Sequence, residues 1–401
     1  MSAKLLFYCH DIKEVKYKDI EYQDNLVTVK ASVSKKYINK SKCPKCGSKH
    51  IICKGKKIRK FRLIPLKHTQ KWILSLELQR FKCKKCNSLW WIKLPFMKGK
   101  SNLTKSFIQY ILDLLKIGVI KSVADLLNLN WNTVKNIHKN HLQNLYSKID
   151  YKKLSYVAVD EFSIKKGHNY MTVVIDLKTG RIIFSSEGKS RESLAPFLLI
   201  LKKEAPQLKA IAMDMGKAFS SAVKEYLPSV DIVYDRFHVT SLINKTIDDI
   251  RKEQQKYGLE DVFKGNRFLF LKNYDSLDTN AAERLNSLLD INKTLFIAHS
   301  LKEQFRLFWM KDFYKDGKDF LKKWCLDAVT SGIHQLKKLA KTILKHSEGL
   351  LNYFKHKITT GPLEGLNNKI KTMKRQSYGF TDIEYFKLRL YHLHNQKITL
   401  I

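Results

Sequence analysis

Two pairs of closely spaced cysteines constrain the fold of this chain more than any other feature. The pairs are Cys43 and Cys46, then Cys83 and Cys86. Two residues between paired thiols allow both sulfurs to bind one ion, and four sulfur ligands favour a tetrahedral structural zinc. His50 and Cys53 remain alternative ligands, although neither has the paired spacing. A zinc ion bound by all four cysteines would bring the two pairs together in one module.

The 36 residues between the pairs carry a strand pattern. Residues 72–81 alternate apolar and polar side chains, which is the period of a half-buried strand. We therefore predict a zinc-binding β module over residues 1–97. The alternative is four free thiols in a basic β module. A site closed by four cysteines has no open position, so this zinc should stabilise the fold and take no part in catalysis.

The charge of the chain points to a polyanionic partner. Lys and Arg number 75 against 37 Asp and Glu, which gives a formal net charge of +38. Such an excess destabilises a compact chain through self-repulsion, and nucleic acid is its natural partner. No run of about 18 apolar residues indicates a membrane span. The N-terminus has too short an apolar stretch for a secretory signal, so we expect a cytoplasmic protein with reduced cysteines.

A helix-turn-helix is predicted within residues 98–150. Two short helical patterns flank Asn128-Leu129-Asn130, and asparagine tolerates the left-handed backbone that a sharp turn requires. In the second, more polar helix, Val134 and Ile137 should face inward. Any small helical hairpin would show a similar pattern. The residues expected to contact DNA bases or phosphates are Asn132, Thr133, Lys135 and Asn136.

The pattern changes to strands from residue 155 onward. Three apolar runs precede an alternation of helix and strand, which is the layout of an RNase H-like α/β domain. The first run ends in Asp160 and Glu161, and the fourth ends in Asp214. In this layout the ends of the first and fourth strands meet at one edge of the sheet. By alternation Glu161 should point to the face opposite Asp160.

The segment 361–375 places one acid, Glu364, at the start of a predicted helix, and Asn367 is expected to orient Glu364 or the backbone. A carboxylate that binds a divalent metal beside a nucleic-acid backbone would explain both the acid and the cations that follow it. Those cations, expected to neutralise phosphates, are Lys369, Lys371, Lys374 and Arg375.

Asp160, Asp214 and Glu364 are the predicted set of magnesium ligands. Mg²⁺ prefers hard oxygen ligands, and two such ions about 4 Å apart can promote phosphodiester cleavage and strand transfer. Each acid also has a simpler interpretation. Asp160 could be an ordinary strand-end acid, Asp214 could cap the following helix, and Glu364 could favour a helix N-terminus. All three acids together in a strongly basic chain favour the metal interpretation.

Residues 240–355 are predicted to form a helical insertion in a catalytic domain made of residues 151–239 and 356–401. Trp309 and Trp324 could stack on an unpaired base, but helical core is the favoured interpretation. Asp235-Arg236-Phe237-His238 is read as a strand-to-helix junction in which Asp235 caps the helix. A position of Asp235 or His238 near the metals remains the alternative, and both stay outside the predicted catalytic set.

These motifs resemble the bacterial insertion-sequence transposases of the ISL-three group, which have a DDE catalytic domain. The resemblance covers nearly the whole chain. Beside the cysteine pairs and the helix-turn-helix, it rests on residues 159–162, 214–215, 235–238, 361–367, 369–371, 374–375 and 377–380.

The resemblance implies an RNase H-like core, Mg²⁺ dependence and cleavage followed by rejoining of element ends, with Asp160, Asp214 and Glu364 as the catalytic triad. We expect the zinc module and the helix-turn-helix to bind double-stranded DNA at the terminal inverted repeats, with target DNA as a further partner. Because two ends must meet, a homodimer on DNA is expected, in the cytoplasm and associated with the bacterial nucleoid. No membrane and no small-molecule substrate is expected. The alternatives are a DNA-binding repressor or architectural protein without catalysis, and a nuclease that cuts without joining.

Overall fold

The computed structural model describes residues 3–66, 71–165, 169–256, 265–377 and 379–394. The chain divides into two compact units, one within residues 1–145 and the other within residues 146–395. The finer division into four segments stays a prediction. In the described ranges no helix combines the length and the apolar character that crossing a membrane requires.

The first unit contains a mixed five-stranded sheet. Its strand order is β1-β2-β4-β3, with β5 also paired to β4 and with β2 and β4 parallel. The predicted strand 72–81 lies within β4, which buries Trp72, Leu74, Leu76 and Leu78 on one face. The elements are α1 (Ala3–His10), β1 (Val15–Gln23), β2 (Leu26–Val33), α2 (Lys35–Asn39), β3 (Ile51–Arg62), β4 (Lys71–Cys83) and β5 (Leu89–Trp91).

Three helices follow in the same unit: α3 (Lys105–Leu114), α4 (Ile120–Leu126) and α5 (Trp131–Leu145). Thr104 begins α3 by accepting a hydrogen bond from the backbone N–H of Phe107. The predicted left-handed turn occurs at Asn128, where φ is 48°. Val134 is completely buried and Ile137 packs against the same small core. The helix-turn-helix pattern therefore gave the correct turn and the correct inward face.

The second unit is built on another mixed sheet. Its order is β10-β9-β6-β7-β8, in which β6, β9 and β10 are parallel and β7 is antiparallel to both neighbours. This is the predicted meander followed by alternating helix and strand. The elements are β6 (Tyr156–Lys165), β7 (Asn169–Asp176), β8 (Ile182–Glu187), α6 (Arg191–Glu204), β9 (Ala210–Met213), α7 (Lys217–Tyr226) and β10 (Asp231–Tyr234).

Helices dominate the chain between β10 and residue 356, as the sequence predicts. Trp324 is 2% exposed and donates its indole N–H to the carbonyl oxygen of Leu301, while Trp309 is 7% exposed. Both therefore belong to the helical core. The helices are α8 (Arg236–Gln254), α9 (Arg267–Leu271), α10 (Thr279–Asp290), α11 (Lys293–Arg306), α12 (Tyr314–Thr330), α13 (His334–Lys345) and α14 (Ser347–His356), with short 3₁₀ turns at Tyr274–Ser276 and Leu307–Met310.

Two final helices, α15 (Gly361–Gln376) and α16 (Ile383–His392), return the chain to the sheet. The apolar stripe of α15 consists of Leu363, Leu366, Ile370 and Met373. This stripe packs in one core cluster with Ala158 of β6 and Ala212 of β9. Because the stripe repeats at helical spacing, it fixes the rotation of α15 about its axis and hence the side on which its polar residues lie.

Candidate active site

The four predicted zinc ligands come together in the first unit. The Sγ atoms of Cys43 and Cys86 are 3.5 Å apart, those of Cys46 and Cys83 are 3.6 Å apart, and all four lie within 4.8 Å of one another. Sulfurs bound tetrahedrally at 2.3 Å from one zinc would be separated by about 3.8 Å. The quartet therefore fits a structural zinc, whereas His50 and Cys53 lie outside it.

Two equivalent turns hold these sulfurs. The backbone N–H of Cys43 donates to the carbonyl oxygen of Ser48, and that of Cys83 donates to the carbonyl oxygen of Ser88 in the same way. Gly47 and Asn87 follow the second cysteine of each pair, and both have positive φ, 71° and 57°. Asn87 thus takes the conformation that Gly47 adopts at no steric cost. Sequence reasoning identified only the glycine.

The second helix of the helix-turn-helix carries the predicted DNA contacts on its outer face. Asn132 and Asn136 are exposed, and Thr133 and Lys135 are half-buried. The Lys135 ammonium lies 5.4 Å from the ring centroid of Trp131, itself 47% exposed at the start of α5. Polar and cationic side chains therefore line the surface that a recognition helix would present to a major groove.

In the second unit two predicted catalytic acids follow the pairing of β6 with β9. Ala158 of β6 pairs with Ala212 of β9 in parallel. The paired positions end there, and Asp160 and Asp214 each follow two residues later in the sequence. The charge of Asp214 acts on the Asp160 carboxyl, so the two acids lie near each other. Asp160 lies within β6 and not at its end, because β6 continues to Lys165 along β7.

Asp160 lies in a partly desolvated environment. Burial raises the pKa of its carboxyl, and the charge of Asp214 raises it further. Hydrogen bonds from the Asn367 amide and the Glu161 backbone N–H lower this pKa, as does the charge of His238. The net shift is upward, so ionised Asp160 has less stabilisation than an exposed aspartate. A divalent cation would supply the missing positive charge.

Asp214 follows β9 directly, in a tight turn. Its Oδ1 accepts a hydrogen bond from the backbone N–H of Gly216 at 3.0 Å. A Cβ on residue 216 would lie 2.8 Å from the same oxygen, so a side chain there would displace the Asp214 carboxylate from its present position. Gly216, and not Asp214, occupies the N-cap position of α7, and no side chain caps that helix. Asp214 therefore does not cap α7, and the helix-capping interpretation of this residue is wrong.

Glu364 lies in the first turn of α15 and is exposed. One turn later, Asn367 donates from Nδ2 to Oδ2 of Asp160 at 2.8 Å. The helix that carries Glu364 is therefore attached directly to Asp160. In the described part of the chain, only the cysteine quartet gathers three or more Cys, His, Asp or Glu side chains closely enough to hold a metal ion. Asp160 and Asp214 are close enough for their charges to interact, whereas Glu364 is connected to Asp160 only through the helix that carries Asn367. The three acids therefore do not form one compact cluster.

The predicted phosphate-binding cations of α15 differ in their surroundings. Lys369, Lys371 and Arg375 are exposed. Lys374 is half-buried and donates from Nζ to the backbone carbonyl of Ser163 at 2.8 Å. Burial lowers the pKa of Lys374. Its hydrogen bond attaches α15 to β6 three residues beyond Asp160, a structural contact that spacing alone did not indicate.

Asp235 and His238 also lie at this edge of the sheet. Tyr234 pairs with Met213, so the next residue, Asp235, lies beside Asp214. The Asp235 side chain is buried and makes no hydrogen bond that caps α8, although the residue occupies the N-cap position. The sequence thus correctly predicted that Asp235 stands at the N-cap position of α8. The prediction that its side chain caps the helix is wrong. Nε2 of His238 is 3.8 Å from Oδ2 of Asp235.

Glu161 is a further carboxylate that sequence reasoning set aside. Burial raises the pKa of Glu161, and the charges of Asp214 and Asp160 raise it further. Lys189 and His238 oppose this shift. Although alternation points neighbouring strand residues to opposite faces, Glu161 is close enough to Asp214 and Asp160 to experience their charges. The edge therefore carries more negative charge than the three predicted acids alone.

Three families match successive parts of this chain. Residues 157–390 match a transposase family of the ISL3 DDE type, residues 92–142 match the helix-turn-helix domain of transposase family ISL3, and residues 40–86 match the zinc-finger of transposase IS204/IS1001/IS1096/IS1165. The chain is 31% identical, over 87% of each protein, to the transposase for insertion sequence element IS1001 of Bordetella parapertussis.

A second relative is the transposase for insertion sequence element IS1557 of Mycobacterium tuberculosis, 24% identical over 92% of this chain and 90% of that protein. Among solved structures, the Drosophila P element transposase strand transfer complex matches with a TM-score of 0.39 and 12% identity, over 76% of this chain and 94% of that one. The family match over residues 157–390 and the 31% identity to the IS1001 transposase show that the chain belongs to the ISL3 family of transposases, enzymes with a DDE domain and a DNA-binding helix-turn-helix.

Proposed function

We propose that this transposase binds the terminal inverted repeats of its own insertion sequence and catalyses Mg²⁺-dependent DNA cleavage and strand transfer through Asp160, Asp214 and Glu364. One observation supports the proposal most directly: Asp160 follows the pairing of β6 with β9 and interacts with the charge of Asp214, and Asn367 of the Glu364 helix donates a hydrogen bond to it. Family membership supplies the reaction class, and this geometry supplies candidate residues for it.

The chemistry of the three acids suits magnesium, and binding would require Glu364 to approach the two aspartates, since the three side chains do not form one compact cluster. The three acids offer hard oxygen ligands, and burial raises the pKa of Asp160, so a bound cation would stabilise its ionised carboxylate. Bound there, two divalent ions would activate a nucleophile and stabilise the leaving oxygen. Asn367 would hold the Asp160 carboxylate in one orientation, and the Gly216 N–H would do the same for Asp214.

The exposed cations of α15 would contact the DNA backbone close to the acids. Lys369, Lys371 and Arg375 lie on the helix that begins beside Glu364, so phosphates bound to them would lie near the proposed metal ligands. Such contacts position DNA without reading its sequence. Sequence would instead be read by α5, where Asn132 and Asn136 are exposed and can hydrogen-bond base edges.

Recombination of an element requires its two ends to meet. We therefore propose that the protein acts on DNA as a homodimer, each protomer binding one end. Analytical ultracentrifugation with and without a duplex carrying one end would measure this directly. A complex that retains one protein copy per synapsed pair of ends would contradict it.

A cleavage assay on DNA carrying the element ends tests the proposal. Wild-type protein with Mg²⁺ should release the ends and form joined products, whereas Asp160→Ala, Asp214→Ala and Glu364→Ala should bind DNA and leave it intact. Asp290→Ala, which alters an exposed acid of α10, is the matched control. Equal cleavage by wild type and Asp160→Ala would end the proposal. Cleavage without joined products would favour a nuclease, and binding without cleavage under any divalent metal would favour a repressor.

A further inference from the structure

The positive charge of this protein is concentrated around the zinc module. Residues 25–112 contain 23 Lys or Arg and a single acidic residue, Glu77. This stretch of 88 residues therefore has a formal charge of +22, more than half of the +38 of the chain. Glu77 is already engaged, because its carboxylate forms ion pairs with Lys18 at 3.5 Å and Lys56 at 2.9 Å. Most of this charge thus has no acidic partner nearby in the sequence.

Part of the charge is displayed along one side of the module. β3 is the last strand in the order of its sheet, and in the described residues its outer edge is bridged only at Arg62, to Leu103. Exposed lysines follow this edge and continue onto the two zinc-binding turns. We define the basic edge as Lys49, Lys54, Lys56, Lys60, Lys84 and Lys85, all of them exposed.

The geometry joins these six residues into one surface. Ile51 pairs with Cys83, and the backbone N–H of Lys84 donates to the carbonyl oxygen of His50, so the second zinc turn adjoins the start of β3. From Lys54 to Lys60 an extended strand spans about 20 Å. Duplex DNA carries one charge per about 1.7 Å of axis, so about twelve phosphates lie within that span.

Two simpler roles account for only a fraction of this charge. Four thiolates on a divalent zinc leave a net charge of −2, which two lysines would neutralise. A lysine or two on an edge strand also prevents pairing with another sheet. Neither role calls for a stretch of +22 with one acid. The aromatic side chain of Trp91 adds to the pattern, because the Lys57 ammonium lies 4.2 Å and the Arg80 guanidinium 5.8 Å from its ring centroid.

We propose that the basic edge is a further DNA-binding surface, besides α5 and the cations of α15, and that it holds the phosphate backbone of the duplex independently of base sequence. A lysine ammonium on an exposed strand edge contacts phosphates as a point charge. Unlike the guanidinium of arginine, it has no rigid pair of donors with which to recognise a base. This surface would supply affinity, while α5 would supply specificity. The inference rests on the proposed binding of element ends only in its choice of duplex DNA as the polyanion.

The salt dependence of DNA binding tests the inference on the full-length, zinc-loaded protein. The variant Lys54→Gln/Lys60→Gln/Lys84→Gln removes three charges and keeps side-chain length. Because each phosphate contact contributes about 0.9 to the slope of log K against log salt, the slope should fall in magnitude by about 3. The dissociation constant should rise at least about tenfold at low salt, by the same factor for an element-end duplex and an unrelated duplex.

A matched variant separates contact from general charge. Lys35→Gln/Lys36→Gln/Lys40→Gln removes three exposed charges from α2 and the residue after it, in the same unit. This control should lower the slope much less. Equal slopes for the two triple variants, or an unchanged slope for the basic-edge variant, would overturn the proposal. Zinc content, measured for each variant, establishes that the module remains folded.

A third variant distinguishes this surface from the recognition helix. Asn136→Ala should reduce the preference for the element end over the unrelated duplex and leave the salt slope unchanged. If wild-type protein shows no preference for the element end, the proposed recognition of inverted repeats is wrong. The salt slopes of the wild type and the two triple variants would still test whether the basic edge binds DNA. The inference would be contradicted if the basic-edge variant lost the preference for the element-end duplex but kept the wild-type salt slope.

Discussion

The Nδ2 atom of Asn367 donates a hydrogen bond of 2.8 Å to Oδ2 of Asp160, across 207 residues of sequence. The other amide atom, Oδ1 of Asn367, is buried and has no hydrogen-bond partner among the described residues. The contact therefore orients the amide toward the acid and attaches α15 to β6. It makes Asn367 a positioning residue for the carboxylate that we place in the catalytic set.

Replacing Asn367 should weaken catalysis and spare DNA binding. We expect Asn367→Ala to lower the rate of Mg²⁺-dependent end cleavage by roughly 10- to 100-fold, the usual cost of losing a partner behind a metal ligand. Asn367→Asp should be at least as damaging, because it places a second negative charge against Asp160. Asn368→Ala, at the exposed neighbouring position, is the control. Normal cleavage by Asn367→Ala would show that the hydrogen bond has no role in positioning.

Asp160 should impose a stability cost on the metal-free protein. The pKa of this carboxyl is raised in the folded state, so ionisation costs more in the fold than in the unfolded chain. Folding is therefore penalised as pH rises from the ordinary carboxyl range through the raised pKa, and the penalty is complete above it. Asparagine does not ionise and should escape the penalty.

We therefore expect Asp160→Asn to abolish cleavage yet raise the Tm at neutral pH in Mg²⁺-free buffer that retains zinc. The gain should disappear in acid, where wild-type Asp160 is protonated. Added Mg²⁺ should stabilise the wild type more than the variant, because only the wild type offers the full carboxylate. Asp290→Asn, an exposed acid, should change neither result. A lower Tm for Asp160→Asn at neutral pH would contradict the assignment of the penalty.

His238 should influence the pH dependence of cleavage. Its charge lowers the pKa of Asp160, alongside hydrogen bonds from Asn367 and the Glu161 N–H and against the charge of Asp214. His238→Ala removes one of the interactions that favour the ionised carboxylate. The acid limb of the pH–rate profile should then move to higher pH. His334→Ala, at an exposed position of α13, should leave the profile in place, and an unmoved limb in His238→Ala would rule out this electrostatic link.

The cysteine quartet should be required for stability of the first unit. Cys43→Ser should abolish stoichiometric zinc binding and destabilise the unit on the order of several kcal/mol, since zinc affinity in such sites is folding free energy. Cys53→Ser provides the matched control, because Cys53 is an exposed cysteine of the same module outside the quartet. Zinc quantification and thermal unfolding measure both effects. Retained zinc in Cys43→Ser would disprove the ligand set.

Gly349 should tolerate no side chain, although it lies within helix α14. A Cβ there would lie 2.4 Å from the ring of Tyr234, the last residue of β10. We expect Gly349→Ala to destabilise the protein by about 1–3 kcal/mol through overpacking. Gly365→Ala, in α15 with no atom within 4 Å of the added Cβ, should be neutral or stabilising by up to about 1 kcal/mol. Chemical denaturation compares the two, and equal stabilities would refute the packing argument.

Local patterns predicted much of the fold because they act over a few residues. The Cys-x-x-Cys spacing places two sulfurs on one turn, and the left-handed turn at Asn128 follows from what an asparagine tolerates. Alternation identified β4, and the order of strands and helices after residue 155 predicted the second sheet. Each of these features depends on backbone sterics or side-chain periodicity, which a sequence displays directly.

The candidate site was predicted less completely. Its three acids were named from their positions relative to strands and a helix start, but the partners of those acids were not. That Asn367 binds Asp160, that Lys374 binds the backbone of β6, and that Asp235 lies buried without capping its helix depend on how α15 and β10 pack. Such packing is set by apolar stripes that meet across the whole unit, so no local pattern reports it.

The sequence by itself determined the zinc quartet, the helix-turn-helix, the order of strands and the strongly basic character, since each follows from spacing, periodicity or composition. Only the tertiary structure decided that buried Asp235 adjoins the end of β9, which amide orients Asp160, and how the lysines of β3 and the zinc turns join into one surface. The physical reason is that register and helix rotation are fixed by burying apolar faces against one another, and those contacts join residues far apart in the chain.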